Sequence, residues 1–430
     1  METVSLSNSP VKDKSTTSPH VCVLGLGYIG LPLAALLATR GVRVSGADVQ
    51  QRVVDSLNRG DVHISEMGLS EILYSAVSKD QFHAYTHPVE ADIYVIAVPT
   101  PVDGEHAPDL SYVYSASDSV AEVLKPGALV IIESTCPVTT TEKVRDRLAA
   151  KRPDLRFPVD GRDPHPDQVC VAYCPERVIP GRVLEELVRN DRVIGGLDKL
   201  SSDKGVAFYR LFVEAELYKT TSRTAEMCKL AENAFRDTNI AFANELANIC
   251  ERFGINPFQL IEYANKHPRV NILQPGPGVG GHCIAVDPWF IVHSAPDISP
   301  LIRTSREVND ARPHQILKQI ESAIERIANP VIACLGLAFK QDVDDLRESP
   351  SMEIVQHLAD AKLGTVLAVE PYISELPAPL ARSGVELVDL DAAVKRADLI
   401  VLLVGHRQFN DIEHSTLLRK QVIDTRGLWK

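Results

Sequence analysis

The chain has 430 residues, of which 45% are hydrophobic and 24% are charged, so it is long enough for two or three domains with separate cores. Its formal net charge of -12 argues against a general nucleic-acid binder, because such a protein needs an excess of basic residues to displace counterions. No apolar run approaches the roughly 20 residues that span a bilayer, so we expect no membrane partner.

The first residues and the cysteines bear on the compartment. Residues 1–20 are rich in Ser, Thr, Pro and Lys and lack a hydrophobic stretch, which predicts a disordered tail and not a signal peptide. The eight cysteines are scattered and form no CxxC pair, so we expect reduced thiols and no metal site. Both features favour a cytoplasmic protein.

Short apolar runs alternate with helical patterns in the first half of the chain. Residues 21–24 form such a run, and an Ala- and Leu-rich helical pattern follows it up to Arg40, where Gly41 is a typical stop signal. This alternation predicts a parallel, doubly wound sheet of the Rossmann type over residues 21–220. The further predicted strands are residues 42–48, 93–98, 129–132 and 169–173.

A glycine fingerprint lies between the first predicted strand and its helix. Gly25, Gly27 and Gly30 fit the GxGxxG pattern, in which glycines permit a tight turn and backbone N–H groups at the helix start bind a pyrophosphate. Asp48 ends the next predicted strand, where a carboxylate accepts hydrogen bonds from a ribose diol and repels a 2′-phosphate. The arrangement predicts NAD as the cofactor, and the alternative is a glycine-rich turn in another kind of sheet protein.

Two threonines follow predicted strands of the same sheet. Thr100 comes after residues 93–98, and Thr135 after residues 129–132. Both therefore lie at carboxyl ends of strands, where open α/β sheets keep their ligand crevice. For each of them, a hydroxyl that only caps the next helix is an equal alternative.

The middle of the chain has little strand signal. Residues 222–253, 256–267 and 300–327 are helical in pattern, and the second of these stops at Pro268. We therefore predict a central helical dimerisation domain over residues 221–328.

The last part of the chain, residues 329–430, returns to the alternation of strands and helices. It resembles the first domain but lacks the full glycine fingerprint, so it is expected to bind something other than a second dinucleotide. The predicted fold class is α/β, with two doubly wound Rossmann-like domains joined by a central helical segment. The predicted strands of this second domain are residues 331–335, 365–369, 399–404 and 422–424.

Two groups of polar residues outside the glycine turn are candidates for catalysis. Lys229, Asn233 and Arg236 are spaced to share one helical face, where a cation beside an amide suits a developing oxyanion; a solvated stripe is the alternative. The glycine-dense run from Gly276 ends in Cys283, with Asp287 four residues later. If Cys283 opened a helix, the helix dipole would favour its thiolate, although a lone cysteine is more often an inert core residue.

A dehydrogenase with a nucleophilic cysteine can carry out two oxidations in succession. The first gives an aldehyde, which the thiolate captures as a thiohemiacetal, and the second gives a thioester that water hydrolyses. Covalent capture holds the intermediate while spent NADH is exchanged for NAD.

The motifs of the chain resemble the UDP-glucose/GDP-mannose dehydrogenase family over nearly all of residues 20–430. The resemblance implies an NAD-binding first domain, a dimerising central segment and a UDP-binding last domain. The implied substrate is a UDP-linked amino sugar, UDP-N-acetyl-D-mannosamine first, with UDP-N-acetylglucosamine, UDP-glucose and GDP-mannose as alternatives. The residues that carry the family resemblance are Gly-Leu-Gly-Tyr-Ile-Gly-Leu-Pro from Gly25, Glu-Ser-Thr from Glu133, Pro-Glu-Arg from Pro175, residues 267–278, Gly-Val-Gly-Gly-His-Cys from Gly278, residues 285–290, Gly-Leu-Ala-Phe-Lys from Gly336 and Asp-Asp-Leu-Arg-Glu-Ser-Pro from Asp344.

The resemblance also implies roles for individual residues. Cys283 matches the nucleophile, Lys229 a lysine that stabilises oxyanions, and Glu176 a glutamate of thioester hydrolysis. His267 and Arg269 match residues that reach the substrate from the neighbouring subunit of a homodimer. The implied catalytic residues are Cys283, Lys229, Asp287, Thr135, Glu176 and Asn233. The implied cofactor contacts are Gly25, Gly27, Tyr28, Ile29, Gly30, Asp48, Thr100, Thr135 and Arg347. The implied substrate contacts are Arg177, Val178, Lys229, Asn233, Arg236, His267, Arg269, Gly280, Phe339, Lys340 and Arg426.

Two hypotheses of other kinds stay open at this point. A non-catalytic regulator that binds NAD and a sugar nucleotide would have no need of a reactive thiol. A simple two-electron hydroxyacid dehydrogenase shares the first domain but would need neither Cys283 nor a second α/β domain.

Overall fold

The computed structural model describes residues 18–179, 181–281 and 283–429. The predicted N-terminal tail therefore lies outside the described residues, except for its last three. Of these, His20 is already the first residue of a strand. The chain forms two compact units that divide between Ala231 and Glu232, and the domain boundaries expected from the sequence stay predictions.

The first unit is a doubly wound α/β structure that ends inside a long helix. Its strands are β1 (His20–Leu24), β2 (Arg43–Ala47), β3 (Phe82–Tyr85), β4 (Ile93–Ile96), β5 (Leu129–Ile132), β6 (Cys170–Tyr173), β7 (Arg192–Gly196) and β8 (Leu217–Thr221). Its helices are α1 (Gly30–Thr39), α2 (Gln51–Asn58), α3 (Leu69–Ser78), α4 (Ser111–Val123), α5 (Thr140–Lys151), α6 (Val183–Arg189), α7 (Lys199–Tyr209) and α8 (Ser222–Phe253), of which α8 continues into the second unit.

The eight strands form one sheet in the order β3-β2-β1-β4-β5-β6-β7-β8. Every neighbouring pair is parallel except β6 and β7, which run antiparallel. The order reverses at β1 and β4, which puts the ligand crevice of such a sheet beyond the carboxyl ends of these two strands. The predicted doubly wound Rossmann sheet is confirmed.

The second unit combines a helical segment with a second sheet. Its helices after α8 are α9 (Pro257–Ala264), α10 (Asp287–Ser294), α11 (Pro300–Asp310), α12 (Arg312–Ile324), α13 (Pro350–Asp360), α14 (Ala378–Arg382), α15 (Leu390–Arg396) and α16 (His414–Leu417), with a 3-10 helix over Arg407–Asp411. Its strands are β9 (Val331–Leu335), β10 (Thr365–Val369), β11 (Glu386–Leu387), β12 (Leu399–Leu402) and β13 (Gln421–Asp424).

The second sheet repeats part of the first. Its order is β11-β10-β9-β12-β13, with every pair parallel, which matches the order β3-β2-β1-β4-β5 strand for strand. Apolar strand residues fill a core on each face of both sheets. The runs are apolar on both faces because helices cover both sides of a parallel sheet. The repeat expected from the sequence is therefore present.

Several predicted elements end earlier than their patterns suggested. The helix expected over residues 256–267 spans only Pro257–Ala264, because the Asn265 side chain exchanges hydrogen bonds with the backbone of Ile272. The helical stretch 300–327 is split into α11 and α12 beside Pro313, which has no N–H to donate. In the described residues, no helix is long and apolar enough to cross a membrane.

Candidate functional site

The turn between β1 and α1 places its three glycines in three different surroundings. Gly25 has a positive φ of 87°, and a Cβ built on it would lie 2.5 Å from the carbonyl oxygen of Ala97. A Cβ on Gly30 would lie 1.9 Å from the carbonyl oxygen of Gly25, so the helix packs directly on the turn. A Cβ on Gly27 would meet no atom within 4 Å. Open backbone at the start of a helix is what a pyrophosphate requires, so the turn fits NAD.

Asp48 follows β2 at the same edge of the sheet. Its carboxylate accepts hydrogen bonds from the backbone N–H of Leu26 at 3.2 Å and of Gln50 at 3.0 Å. It therefore links the glycine turn to the end of β2 and remains partly exposed. A half-exposed carboxylate at this position suits the ribose diol of NAD, as the sequence predicted.

The corresponding carboxylate of the second sheet is closed off. Glu370 follows β10 and is buried. It accepts hydrogen bonds from the N–H groups of Leu337 and Ala338 and lies 3.0 Å from Nε2 of His406. The backbone N–H of Asp342 donates to Nδ1 of His406, so Nε2 is the nitrogen that donates to Glu370. This carboxylate is not available to a ribose, which explains how a repeated sheet loses the dinucleotide site.

Ser134 ties the ends of β4 and β5 together. Its hydroxyl accepts a hydrogen bond from the Val98 N–H at 2.9 Å and donates to the Val98 carbonyl at 2.7 Å. The predicted strand 93–98 therefore stops at Ile96, because Val98 bonds a side chain in place of a neighbouring strand. Thr100 and Thr135 follow these two adjacent strands and are both partly exposed, at the edge where the sequence expected them.

Glu176 follows β6 in a buried polar network. Its Oε2 accepts a hydrogen bond from Nη1 of Arg192 at 2.6 Å, and its Oε1 accepts one from the Arg177 N–H at 2.6 Å. Nearby, the Tyr209 hydroxyl donates to Oε1 of Glu133 at 2.6 Å. The pKa of Glu133 is raised to about 7, first by burial and then by the negative charge of Glu176.

Sequence reasoning gave Glu133, Arg192 and Tyr209 no role. Glu133 entered only as the first residue of the Glu-Ser-Thr motif that carries the family resemblance. The available signal was a carboxyl group placed directly after the four apolar residues of β5, at the ligand edge of the sheet.

Helix α8 carries three of the predicted site residues, Lys229, Asn233 and Arg236. Lys229 is buried in the first unit, and no hydrogen bond or ion pair within the described residues involves its ammonium group. In the second unit, Nδ2 of Asn233 donates to Oδ2 of Asp287 at 2.6 Å, and Asp287 is the first residue of α10. Arg236 is exposed, and its assignment to the substrate stays a prediction.

Cys283 is exposed at the end of the glycine-rich loop. It does not open a helix, contrary to one expectation, because α10 begins at Asp287. The Cys283 carbonyl instead accepts hydrogen bonds from the N–H groups of Val286 and Asp287, at 3.1 and 2.8 Å. Cys283 therefore lies one turn before the helix, and its backbone is bonded to Asp287, the partner of Asn233.

The glycine loop packs against other residues expected to contact the substrate. A Cβ on Gly280 would lie 2.3 Å from the Glu348 carbonyl and 3.2 Å from Cβ of Phe339. A Cβ on Gly276 would lie 2.4 Å from a guanidinium nitrogen of Arg426. The backbone overlap at Gly280 leaves room only for glycine, and the loop contacts Phe339 at Gly280 and Arg426 at Gly276 within the second unit.

For the remaining predicted site residues the structure gives mainly the degree of exposure. Arg347 is exposed, with its guanidinium 2.7 Å from Asp345, and its assignment to the cofactor stays a prediction. Val178 and Ile29 are half-buried, whereas Tyr28 is exposed. In the second unit, three further predicted site residues are exposed, namely His267, Arg269 and Lys340.

The first sheet, its glycine turn and Asp48 define a dinucleotide-binding protein of the Rossmann class. Over residues 19–213 the chain matches the NAD binding domain of the UDP-glucose/GDP-mannose dehydrogenase family, over 223–311 its central domain, and over 333–430 its UDP binding domain. The chain therefore belongs to the UDP-glucose/GDP-mannose dehydrogenase family, as its motifs predicted. It is an NAD-dependent oxidoreductase, and NAD is confirmed as the cofactor.

Several named relatives match almost the whole chain. The NDP-N-acetyl-D-galactosaminuronic acid dehydrogenase of Ralstonia nicotianae is 55% identical over 95% of this chain and 96% of its own. The UDP-N-acetyl-D-mannosamine dehydrogenase of Escherichia coli K12 is 52% identical over 95% of this chain and 99% of its own. The solved UDP-N-acetyl-mannosamine dehydrogenase of Staphylococcus aureus is 40% identical, with a TM-score of 0.82 over 96% of this chain and 95% of its own.

Proposed function

We propose that this enzyme oxidises the C6 alcohol of UDP-N-acetyl-D-mannosamine to the carboxylate, through a covalent intermediate on Cys283. The observation that carries the proposal is the exposure of this one thiol. The other seven cysteines are buried or half-buried, whereas Cys283 ends a glycine-rich loop beside the pair of Asn233 and Asp287. An inert structural cysteine has no reason to lie at such a place.

The residues of the chain have distinct parts in the proposed reaction. The Cys283 thiolate adds to the aldehyde carbon and gives a thiohemiacetal, whose oxyanion is stabilised by Lys229 and Asn233. After the second oxidation this adduct is a thioester. Thr135 and Asp287 hold a water molecule, and Glu176 takes a proton from it as the oxygen attacks the thioester carbon. The C–S bond then breaks and restores the thiolate.

Conversion of the alcohol to the carboxylate requires two successive oxidations of each sugar. When bound, NAD accepts a hydride in each of them. Alcohol, water and two NAD are consumed, and the carboxylate, two NADH and three protons are released. Gly25, Gly27, Gly30 and Asp48 hold the dinucleotide in the first unit, and the open backbone at Gly27 supports this assignment.

A second sugar has an argument in its favour. The relative from Ralstonia nicotianae, 55% identical, is named for an N-acetyl-D-galactosaminuronic acid, whereas the mannosamine enzymes are 52% identical or less. Both sugars carry the same CH₂OH group, so the catalytic residues do not separate them. UDP-N-acetylgalactosamine is therefore the second candidate substrate, ahead of UDP-N-acetylglucosamine and UDP-glucose.

The test is the number of NADH molecules formed for each sugar nucleotide consumed. Purified enzyme with excess NAD receives a limiting amount of one candidate at a time, and NADH absorbance is read at completion. We expect two NADH for each UDP-N-acetyl-D-mannosamine and slower turnover of the other sugars. A yield of one would show that oxidation stops at the aldehyde and would leave Cys283 without its role.

A matched pair of variants tests the nucleophile. Cys283→Ala should lose acid formation by at least about a thousandfold, because the aldehyde has no covalent anchor. Cys228→Ala removes a half-buried thiol elsewhere and should keep wild-type yield. Full acid formation by Cys283→Ala would exclude the covalent route.

We also propose that the enzyme is a cytoplasmic homodimer in which His267 and Arg269 reach the active site of the neighbouring subunit. Support comes from the outer side of α8. Phe235, Phe242, Ile249 and Phe253 are 69%, 52%, 45% and 68% exposed there, at intervals of seven, seven and four residues. Apolar residues at this spacing form a stripe along a helix. The same stripe on α8 of a second subunit would cover these exposed apolar side chains.

A further inference from the structure

Two buried carboxyl groups of the first unit interact electrostatically with a single guanidinium. Glu133 follows β5, Glu176 follows β6, and Arg192 begins β7; all three side chains are buried. Arg192 donates to Glu176 at 2.6 Å and to the Leu187 carbonyl at 3.4 Å. Two ionised carboxylates with one cation would leave a net negative charge in the interior, which is costly. The cluster is neutral only when one of the two carboxyl groups holds a proton.

The hydrogen bonds indicate which carboxyl group holds it. Both oxygens of Glu176 accept hydrogen bonds, one from Arg192 and one from the Arg177 N–H. Glu133 accepts only one, from the Tyr209 hydroxyl at 2.6 Å, and its Oε2 has no hydrogen-bond partner among the described residues. Hydrogen bonds stabilise the charged form of a carboxyl group, so Glu176 is the carboxylate and Glu133 is the acid.

The other ionisable groups around Glu133 keep one charge state near neutral pH. Burial raises the pKa of the Cys174 thiol to about 12 and holds the pKa of Tyr209 well above its ordinary value. Arg192 lies 5.5 Å from the centre of the Tyr209 ring and stays charged. Since the pKa of Glu133 is about 7, Glu133 is the group of this cluster that titrates in the physiological range.

We propose that Glu133 is a positioning residue for thioester hydrolysis, because its charge controls how readily Glu176 takes a proton from water. The proposal rests on the role proposed above for Glu176. Neutral Glu133 leaves the Glu176 charge fully compensated by Arg192, which makes Glu176 a weak base. When Glu133 loses its proton, the second negative charge competes for Arg192 and favours proton uptake by Glu176. Hydrolysis therefore speeds up as Glu133 ionises.

The first test is the pH dependence of hydrolysis in Glu133→Gln. Glutamine keeps an oxygen that accepts from Tyr209 but does not ionise. In single turnovers with saturating NAD, the wild-type rate of acid formation should rise about threefold to tenfold as pH passes through about 7. The variant should stay at the low-pH rate throughout. A variant that keeps the rise at the same midpoint would overturn the proposal.

The second test moves the midpoint without removing the carboxyl group. The Tyr209 hydrogen bond lowers the pKa of Glu133, so Tyr209→Phe should shift the midpoint to higher pH. Tyr94→Phe is the matched control: it also removes a buried hydroxyl, one that donates to the Val123 carbonyl at 2.9 Å, and it should leave the midpoint unchanged. Equal midpoints in both variants, or equal shifts, would count against Glu133.

An infrared measurement separates this proposal from the proposed reaction. The carbonyl band of a protonated carboxylic acid should fade in wild-type protein as pH rises through about 7 and be absent from the Glu133→Gln difference spectrum. Wild-type protein that shows the band but forms no second NADH would refute the proposed oxidation and leave the titration of Glu133 in place. Wild-type protein that forms two NADH but lacks the band would refute the present inference alone.

Discussion

The glycines of the β1–α1 turn separate two requirements that the GxGxxG pattern combines. At Gly30 the limit is the protein itself, since an added methyl group would lie 1.9 Å from a backbone oxygen that moves only if the turn moves. At Gly27 an added methyl group would meet no protein atom within 4 Å. The second glycine is therefore free of any folding requirement, and its space is available to the ligand.

Alanine at each position should give opposite results. Gly30→Ala should destabilise the protein by about 3 kcal/mol, because backbone overlap is relieved only by shifting β1 or α1. Gly27→Ala should change stability by less than about 1 kcal/mol yet weaken NAD binding at least about tenfold, because the methyl group occupies the approach of the pyrophosphate. Urea unfolding and calorimetric titration with NAD measure the two effects. Unchanged NAD affinity in Gly27→Ala would show that the ligand does not approach this turn.

At the scale of one element, α8 is a helix that buries several polar side chains among its small apolar ones. Within the second unit, Asp237 accepts hydrogen bonds from Nη1 of Arg306 at 2.5 Å and from Asn309 at 2.8 Å. Asn244 donates to Asn309 at 2.9 Å and accepts from the Gly276 N–H at 2.9 Å. The chain of contacts runs from the helix to the first residue of the loop that presents Cys283. The helix thus supports the loop through side chains that never reach the reacting atoms.

Removing one residue from this series of hydrogen bonds should disturb the loop that presents Cys283. Asn244→Ala removes the partner of the buried Gly276 N–H and of the side-chain oxygen of Asn309, which should cost about 1–3 kcal/mol and lower the rate of NADH formation. Asn239→Ala is the control on the same helix, since Asn239 only donates to the Phe235 carbonyl one turn earlier. Urea unfolding and steady-state turnover are compared for both. Equal stability of the two variants would argue against any support of the loop by Asn244.

Helix α8 also shows how far sequence reasoning reaches. Its bounds, Ser222–Phe253, were predicted correctly from a continuous helical pattern that stops at Gly254. The role of Asn244 was not predicted, because its partners lie 65 and 32 residues away in the chain and local periodicity carries no information about them. The sequence could predict roles for Cys283 and Asp48 because their signals are local in the chain. The network of Glu133 has no such signal, because it depends on three strands that only folding brings together.

At the scale of the molecule, the two sheets have the same strand order but differ at the carboxyl ends of their strands. In the first sheet, the carboxylate after β2 is half-exposed and bonds two N–H groups. In the second, the carboxylate after β10 is longer by one carbon, reaches two N–H groups of the β9 loop and meets the buried His406. The same position is thus left open in one sheet, where a ribose is expected, and fastens a loop in the other. The fastened loop continues directly into Phe339 and Lys340, two of the residues expected to contact the sugar nucleotide.

The apolar stripe on α8 yields the prediction that concerns the assembly. Phe242→Lys places a charge at the centre of the stripe, and burying that charge against a second copy would cost several kcal/mol, so the dimer should dissociate. If His267 and Arg269 complete the neighbouring site, the monomer should lose nearly all turnover. It should still bind NAD with wild-type affinity, because the glycine turn lies within the first unit.

Light scattering after size exclusion gives the mass, and NAD titration and NADH formation give the two functions. Tyr74→Lys is the matched control, since Tyr74 is 64% exposed on α3 and lies outside the stripe; this variant should remain dimeric and active. A Phe242→Lys protein that stays dimeric would move the interface away from α8. A monomeric Phe242→Lys protein with full turnover would instead show that each subunit completes its own site, which would remove His267 and Arg269 from the neighbouring one.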